Sequence, residues 1–138
     1  MATMNLIPIP EGLNREINST VLTCLSGHSA HSDVTEALMI AIAPLGDAKT
    51  FCPDSSNYQY LAVYANDTIF AYAINLQTVA FRLSPTFKHR AIKTGGETLE
   101  NLENGWVAFD IFRSDWPEVD IEFWARKAYL FALELDDS

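Results

Sequence analysis

The sequence predicts a single α+β domain: two N-terminal helices, an antiparallel sheet of four or five strands, and a long C-terminal helix packed on that sheet. Three observations lead there. Apolar residues recur every three to four positions near both ends of the chain but every second position in its middle, where β-branched and aromatic residues also concentrate. The connections within that middle stretch are too short for the crossovers of a parallel sheet. Finally, 138 residues with 49% hydrophobic and 20% charged content suffice to bury a core and are too apolar for a disordered or collagen-like chain.

Leu13, Ile17, Val21 and Leu25 lie four apart with Cys24 beside them, so the first helix has one apolar stripe, and Gly27 stops it. The second begins at Ser32 or Asp33, where Asp33-x-x-Glu36 has the spacing of a capping box, and ends near Pro44-Leu45-Gly46. Its residues 37–43 are apolar all round, which predicts cover on more than one side and the most buried helix of the fold.

From Lys49 to Leu83 the period is two. Asn66-Asp67 turns one strand into the next, Asn75 to Gln77 reverses the chain again, and Thr50-Phe51-Cys52 extends the resulting meander. Ser84-Pro85 starts a short helix that runs to Lys93 and breaks at Thr94-Gly95-Gly96. Residues 97–105 are polar and irregular, 106–112 read as a largely buried strand, and the last helix starts at Asp115-x-x-Glu118 with Pro117 in its first turn. Phe123, Trp124, Ala128, Phe131 and Leu135 form its apolar side.

The net charge of −9 is unevenly placed: residues 79–95 hold four basic side chains and no acidic one, inside an otherwise acidic chain. Such a field disfavours nucleic acid and anionic membranes and steers basic proteins toward the surface. The basic island of Arg82, Lys88, Arg90 and Lys93, with His89 among them, is a candidate anion site; as ordinary surface charge it would instead pair with the acidic residues that follow it.

Chemical motifs are sparse. Cys24, His28, His31 and Cys52 are ligand types that zinc accepts, but their spacing fits no structural zinc site, and no metal or other cofactor is expected. The two cysteines are expected as free thiols. Ser29, His31 and Asp33 sit within five residues of one loop and cannot converge as a hydrolase triad, and Gly95-Gly96 lacks the lysine of a phosphate loop.

Among the carboxylates near the last helix, Asp115 and Glu118 fit a cap, while Glu118, Glu122 and Arg126 follow one another at four-residue spacing. Asp110 interrupts an apolar strand, so it faces solvent at a sheet edge or pairs with Arg82 or Arg113; with Glu118 or His89 it would be the acid/base pair of a small enzyme.

Tyr58, Tyr60 and Tyr64 share one strand face with a neighbouring row at Phe70 and Tyr72, either exposed for binding or covered by a helix. Together with the acidic charge, this row leads to the expectation of a non-enzymatic protein that occupies a basic protein partner, of immunity-protein or inhibitor type. Tyr58, Tyr60, Tyr64, Glu118 and Glu122 would make the contact. A regulatory domain binding an anionic metabolite at residues 82–93 is the alternative. No apolar run reaches the roughly 20 residues of a membrane span. The N-terminus has no signal-peptide pattern, so a cytoplasmic monomer or weak dimer is expected, and Asn18-Ser19-Thr20 and Asn66-Asp67-Thr68 are expected to match the glycosylation pattern by chance.

Overall fold

Six antiparallel strands carry the architecture in a computed structural model that describes residues 10–25, 28–52, 60–98, 105–111 and 120–134. They are β1 (Lys49–Phe51), β2 (Leu61–Ala65), β3 (Thr68–Ile74), β4 (Thr78–Arg82), β5 (Glu97–Thr98) and β6 (Trp106–Asp110), in the order β1-β2-β3-β4-β6-β5. Around them lie a 3₁₀ turn at Glu11–Leu13 and the helices α1 (Glu16–Leu25), α2 (Ser32–Ile42), α3 (Pro85–Lys93) and α4 (Ile121–Glu134). The α+β class agrees with the sequence reading; the sheet is larger than expected. Its extra strand, β5, consists of two exposed polar residues, too short to show a period and blunted as edge strands are.

β1 to β4 form the expected meander. Asn66 and Asp67 both adopt positive φ, 52° and 55°, the backbone that lets a two-residue hairpin match the twist of its strands. A bulge follows: Val63 pairs with Ala71 and Tyr64 with Ile69, so Phe70 is the additional residue. Phe70 and Ala71 consequently point to the same face, and the Phe70 ring reaches Tyr129 of α4 at 5.8 Å. After β4 the chain runs through α3 to β5 at the edge, then returns as β6 between β4 and β5.

Alternation along the strands sends side chains to two separate cores. Val63, Phe70, Val79, Phe81, Val107 and Phe109 face α2, α3 and α4. Ala125, Ala128 and Ala132 of α4 are buried there, their small side chains letting the helix lie close to the sheet. On the other face Ile69, Tyr72, Ala80 and Trp106 meet α1 and Leu13. β3 is buried along its whole length because both faces are covered. The chain passes from one face to the other at the end of β3, where the Asn75 carbonyl accepts the His31 N–H at 2.8 Å and the Asn75 N–H donates to the Ser29 carbonyl.

A buried amide fixes α1. The Asn18 carboxamide donates to the carbonyls of Leu13 (3.1 Å) and Asp67 (2.9 Å) and accepts the Ile69 N–H at 2.9 Å. Arg15 Nη1 adds donors to the Asn66 and Asp67 carbonyls at 3.2 and 3.3 Å. The β2–β3 turn is thus held against the start of α1 from two sides.

Several boundaries differ from the sequence reading. The first periodic stretch breaks at Asn14 and Arg15, leaving Leu13 in the 3₁₀ turn. α2 is capped by His31, whose Nδ1 accepts the Asp33 N–H at 3.1 Å, in place of a carboxylate. Met39 and Ile40 of α2 are 49% and 64% exposed, so this helix is not covered all round: the sheet and α4 take its inner sides. α4 begins at Ile121, with Asp120 Oδ1 accepting the Phe123 N–H at 3.1 Å. The expected cap residues Asp115 and Glu118 lie outside the described residues.

Candidate functional site

The basic island does not form one cluster. Phe81 and Leu83 point to the core under α4, so Arg82 between them points the opposite way, beneath α1. Its guanidinium carbon lies 5.0 Å from the centre of the Trp106 ring, and its Nη2 donates to the Ile17 carbonyl at 3.1 Å. Arg82 is 1% exposed, and burial draws its pKa from 12.5 down to about 10. Its Nε and Nη1 have no hydrogen-bond partner.

Lys88, His89, Arg90 and Lys93 belong to α3 on the other face. Arg90 lies over the rings of Phe87 and Phe123, at 5.2 and 5.8 Å from their centres, and Lys127 of α4 lies over the same rings at 4.9 and 5.4 Å. The two rings meet edge to face at 6.2 Å. Among the described residues no carboxylate pairs with Lys88, Arg90 or Lys93; Arg90 has cation–π packing where pairing with downstream acidic residues was expected.

The tyrosine row is mostly interior. Tyr60 is 5% exposed and packs edge to face with Phe51 at 6.3 Å; burial, with Cys52 adding to it, pushes its phenol pKa up. Tyr72 lies under α1 with its ring 5.2 Å from Trp106. Tyr64 is half-buried and borders a cavity of about 600 Å³ with Asp47, Lys49, Asn66, Asp67 and Leu133. Tyr58 and Glu118 lie outside the described residues, and Glu122 is exposed on α4.

Asp110 shares the face of Trp106 and Ala108, opposite to α3, so the fold does not bring it together with His89. Its Oδ1 accepts from Thr78 Oγ1 at 3.2 Å. The pairing of Thr78 with Asp110 and of Arg82 with Trp106 places Asp110 and Arg82 four residues apart along the strands, roughly 13 Å. Of the alternatives for Asp110, the pair with Arg82 is therefore not formed. Cys24, whose pKa burial raises, and Cys52 form no disulfide and pack with different cores. Among the described residues no group of three or more His, Cys, Asp or Glu could hold a metal ion, and no helix is long and apolar enough to cross a membrane.

One surface was not singled out from the sequence. Met39 and Ile40 of α2 and Leu130 and Leu133 of α4 are 49%, 64%, 47% and 39% exposed on helices that pack side by side. Exposed Asp33, Glu36, Glu122 and Glu134 belong to the same two helices. The signal was present: residues 37–43 are apolar on more sides than one core contact needs, and Leu130 and Leu133 fall off the stripe of Trp124 and Ala128. Comparison with protein-family models, curated proteins and solved structures finds no match to this chain.

Proposed function

We propose that the protein is a non-enzymatic acidic binding protein that occupies a basic protein partner through the outer side of α2 and α4. One observation carries this reading: Met39, Ile40, Leu130 and Leu133 stand exposed on adjacent helices among carboxylates. Large exposed apolar groups on two helices that pack together and also carry exposed carboxylates suit a docking surface, whose anchors are apolar and whose rim is charged. The net charge of −9 supplies attraction for a basic partner. This location replaces the tyrosine row as the contact surface and retains Glu122.

The test is capture of partners from the source cell, followed by rate measurements on any complex recovered. Association is expected to slow steeply with added salt, since screening acts over about 8–10 Å at physiological ionic strength. Glu36→Lys and Glu122→Lys should imitate that slowing, while Ile40→Ser and Leu130→Ser should speed dissociation by removing anchors. A complex indifferent to salt and to all four substitutions would refute the reading.

A further inference from the structure

We propose that Arg82 anchors a buried oxyanion site beneath α1, suited to a single carboxylate or phosphate group of a small molecule. The inference is independent of the partner surface on α2 and α4.

The starting point is an unpaired buried cation. Arg82 is 1% exposed, yet of its side-chain donors only Nη2 has an acceptor, the Ile17 carbonyl, and Nε and Nη1 have none. The Trp106 ring, 5.0 Å away, offers its face to the charge but no lone pair to an N–H. Burying a charge in this state costs several kcal/mol, whereas a methionine or leucine would fill the same space without that penalty. Nor does α1 depend on Arg82 for attachment, because Asn18 and Arg15 already hold its first turn to the β2–β3 hairpin.

The geometry of the guanidinium selects the ligand class. Its two forks are Nε with Nη2 and Nη1 with Nη2, and each uses a different hydrogen of Nη2. Ile17 takes one of those hydrogens, so the other completes a fork with a nitrogen that has no partner. Two parallel donors match two oxygens of one group, which a carboxylate or phosphate provides and a lone carbonyl or chloride does not. The described residues supply no such group. Asp110, on the same face, is roughly 13 Å along the sheet and accepts from Thr78. The close cover over Arg82 restricts the occupant to a small anion, and the indole face beside it favours one with a flat or apolar body.

The experiment uses the full chain labelled with ¹⁵N, titrated separately with inorganic phosphate and with acetate at ionic strength held constant by sodium chloride. The Arg82 Nε–H signal should move downfield and saturate with at least one of them. The same anion, at about ten times its Kd, should raise the melting temperature by about 5 °C. Whichever anion saturates identifies the headgroup as phosphate or carboxylate.

Arg82→Met should remove both responses while keeping the native circular dichroism. Arg82→Lys, with charge but no fork, should weaken binding about tenfold, the loss of one charged hydrogen bond. If neither anion moves the wild-type signal beyond the chloride control, or if Arg82→Met responds equally, the proposal fails and Arg82 is a structural cation. Should Arg82→Met not fold, the wild-type titration decides alone.

Discussion

Asn18 Oδ1 accepts the backbone N–H of Ile69, 51 positions later in the chain, at 2.9 Å, and both atoms are buried. This single amide joins the 3₁₀ turn, α1, and the β2–β3 hairpin, since its Nδ2 serves Leu13 and Asp67. Asn18→Leu should cost about 3 kcal/mol in a urea titration, because removing one partner strands buried polar groups at about 1–3 kcal/mol each. Asn18→Asp should be no milder, because it keeps the acceptor for Ile69 but turns a carboxylate toward two carbonyls.

Gly105 has φ +85°, and a Cβ there would collide with the Leu83 carbonyl, which accepts no rearrangement because the Leu83 N–H is bonded to the Gly105 carbonyl at 3.0 Å. Gly105→Ala should therefore destabilise by about 1–3 kcal/mol from backbone strain alone, and more with the collision. Thermal unfolding of the variant measures it.

Trp124 stacks on Phe109 at 5.9 Å and meets Phe123 edge-on at 4.8 Å, almost wholly buried. Trp124→Ala should lower stability by about 3–5 kcal/mol, the cost of removing a large core aromatic. Trp124→Phe should recover much of the loss. Denaturant midpoints of the two variants check both statements.

Burial, with Cys24 adding to it, pushes the Tyr72 phenol well above its ordinary value of 10. The unfolded chain releases this proton first, so the contribution to stability is complete below about pH 10 and declines as pH rises toward the folded value. The melting temperature should fall above about pH 10, and less steeply in Tyr72→Phe. Arg82 acts with opposite sign: its folded pKa is drawn down to about 10, so there the unfolded chain binds more protons. Arg82→Met should steepen the alkaline loss.

Periodicity made the helices, the meander and β6 legible because each buries one continuous set of side chains: Val21 and Leu25 beneath α1, Val79 and Phe81 within β4. β5 escaped notice because Glu97 and Thr98 are exposed and bury nothing that a pattern could record. One helix cap was misplaced where capping chemistry competes locally: a histidine nitrogen, in place of a carboxylate, caps α2.

The candidate sites were less legible than the fold. Arg82 and Arg90 are near in sequence, but strand alternation turns one toward α1 while helix α3 carries the other to the opposite face. Likewise the sequence left the tyrosines either exposed or covered, because nothing in β2 or β3 says that α1 covers Tyr72. That cover is set by Asn18, through contacts far apart in sequence.

The cover of the second face has a consequence for biosynthesis. Phe70, Phe81 and Phe109 are sealed by α4, yet the meander ends at Arg82 and α4 starts only at Ile121. A nascent chain therefore holds these rings open to solvent, or to a chaperone, until its last helix has left the ribosome. Ribosome-stalled or nonsense products ending before Ile121 would be sticky intermediates destined for proteolysis, and quality control of this protein rests on the arrival of one helix.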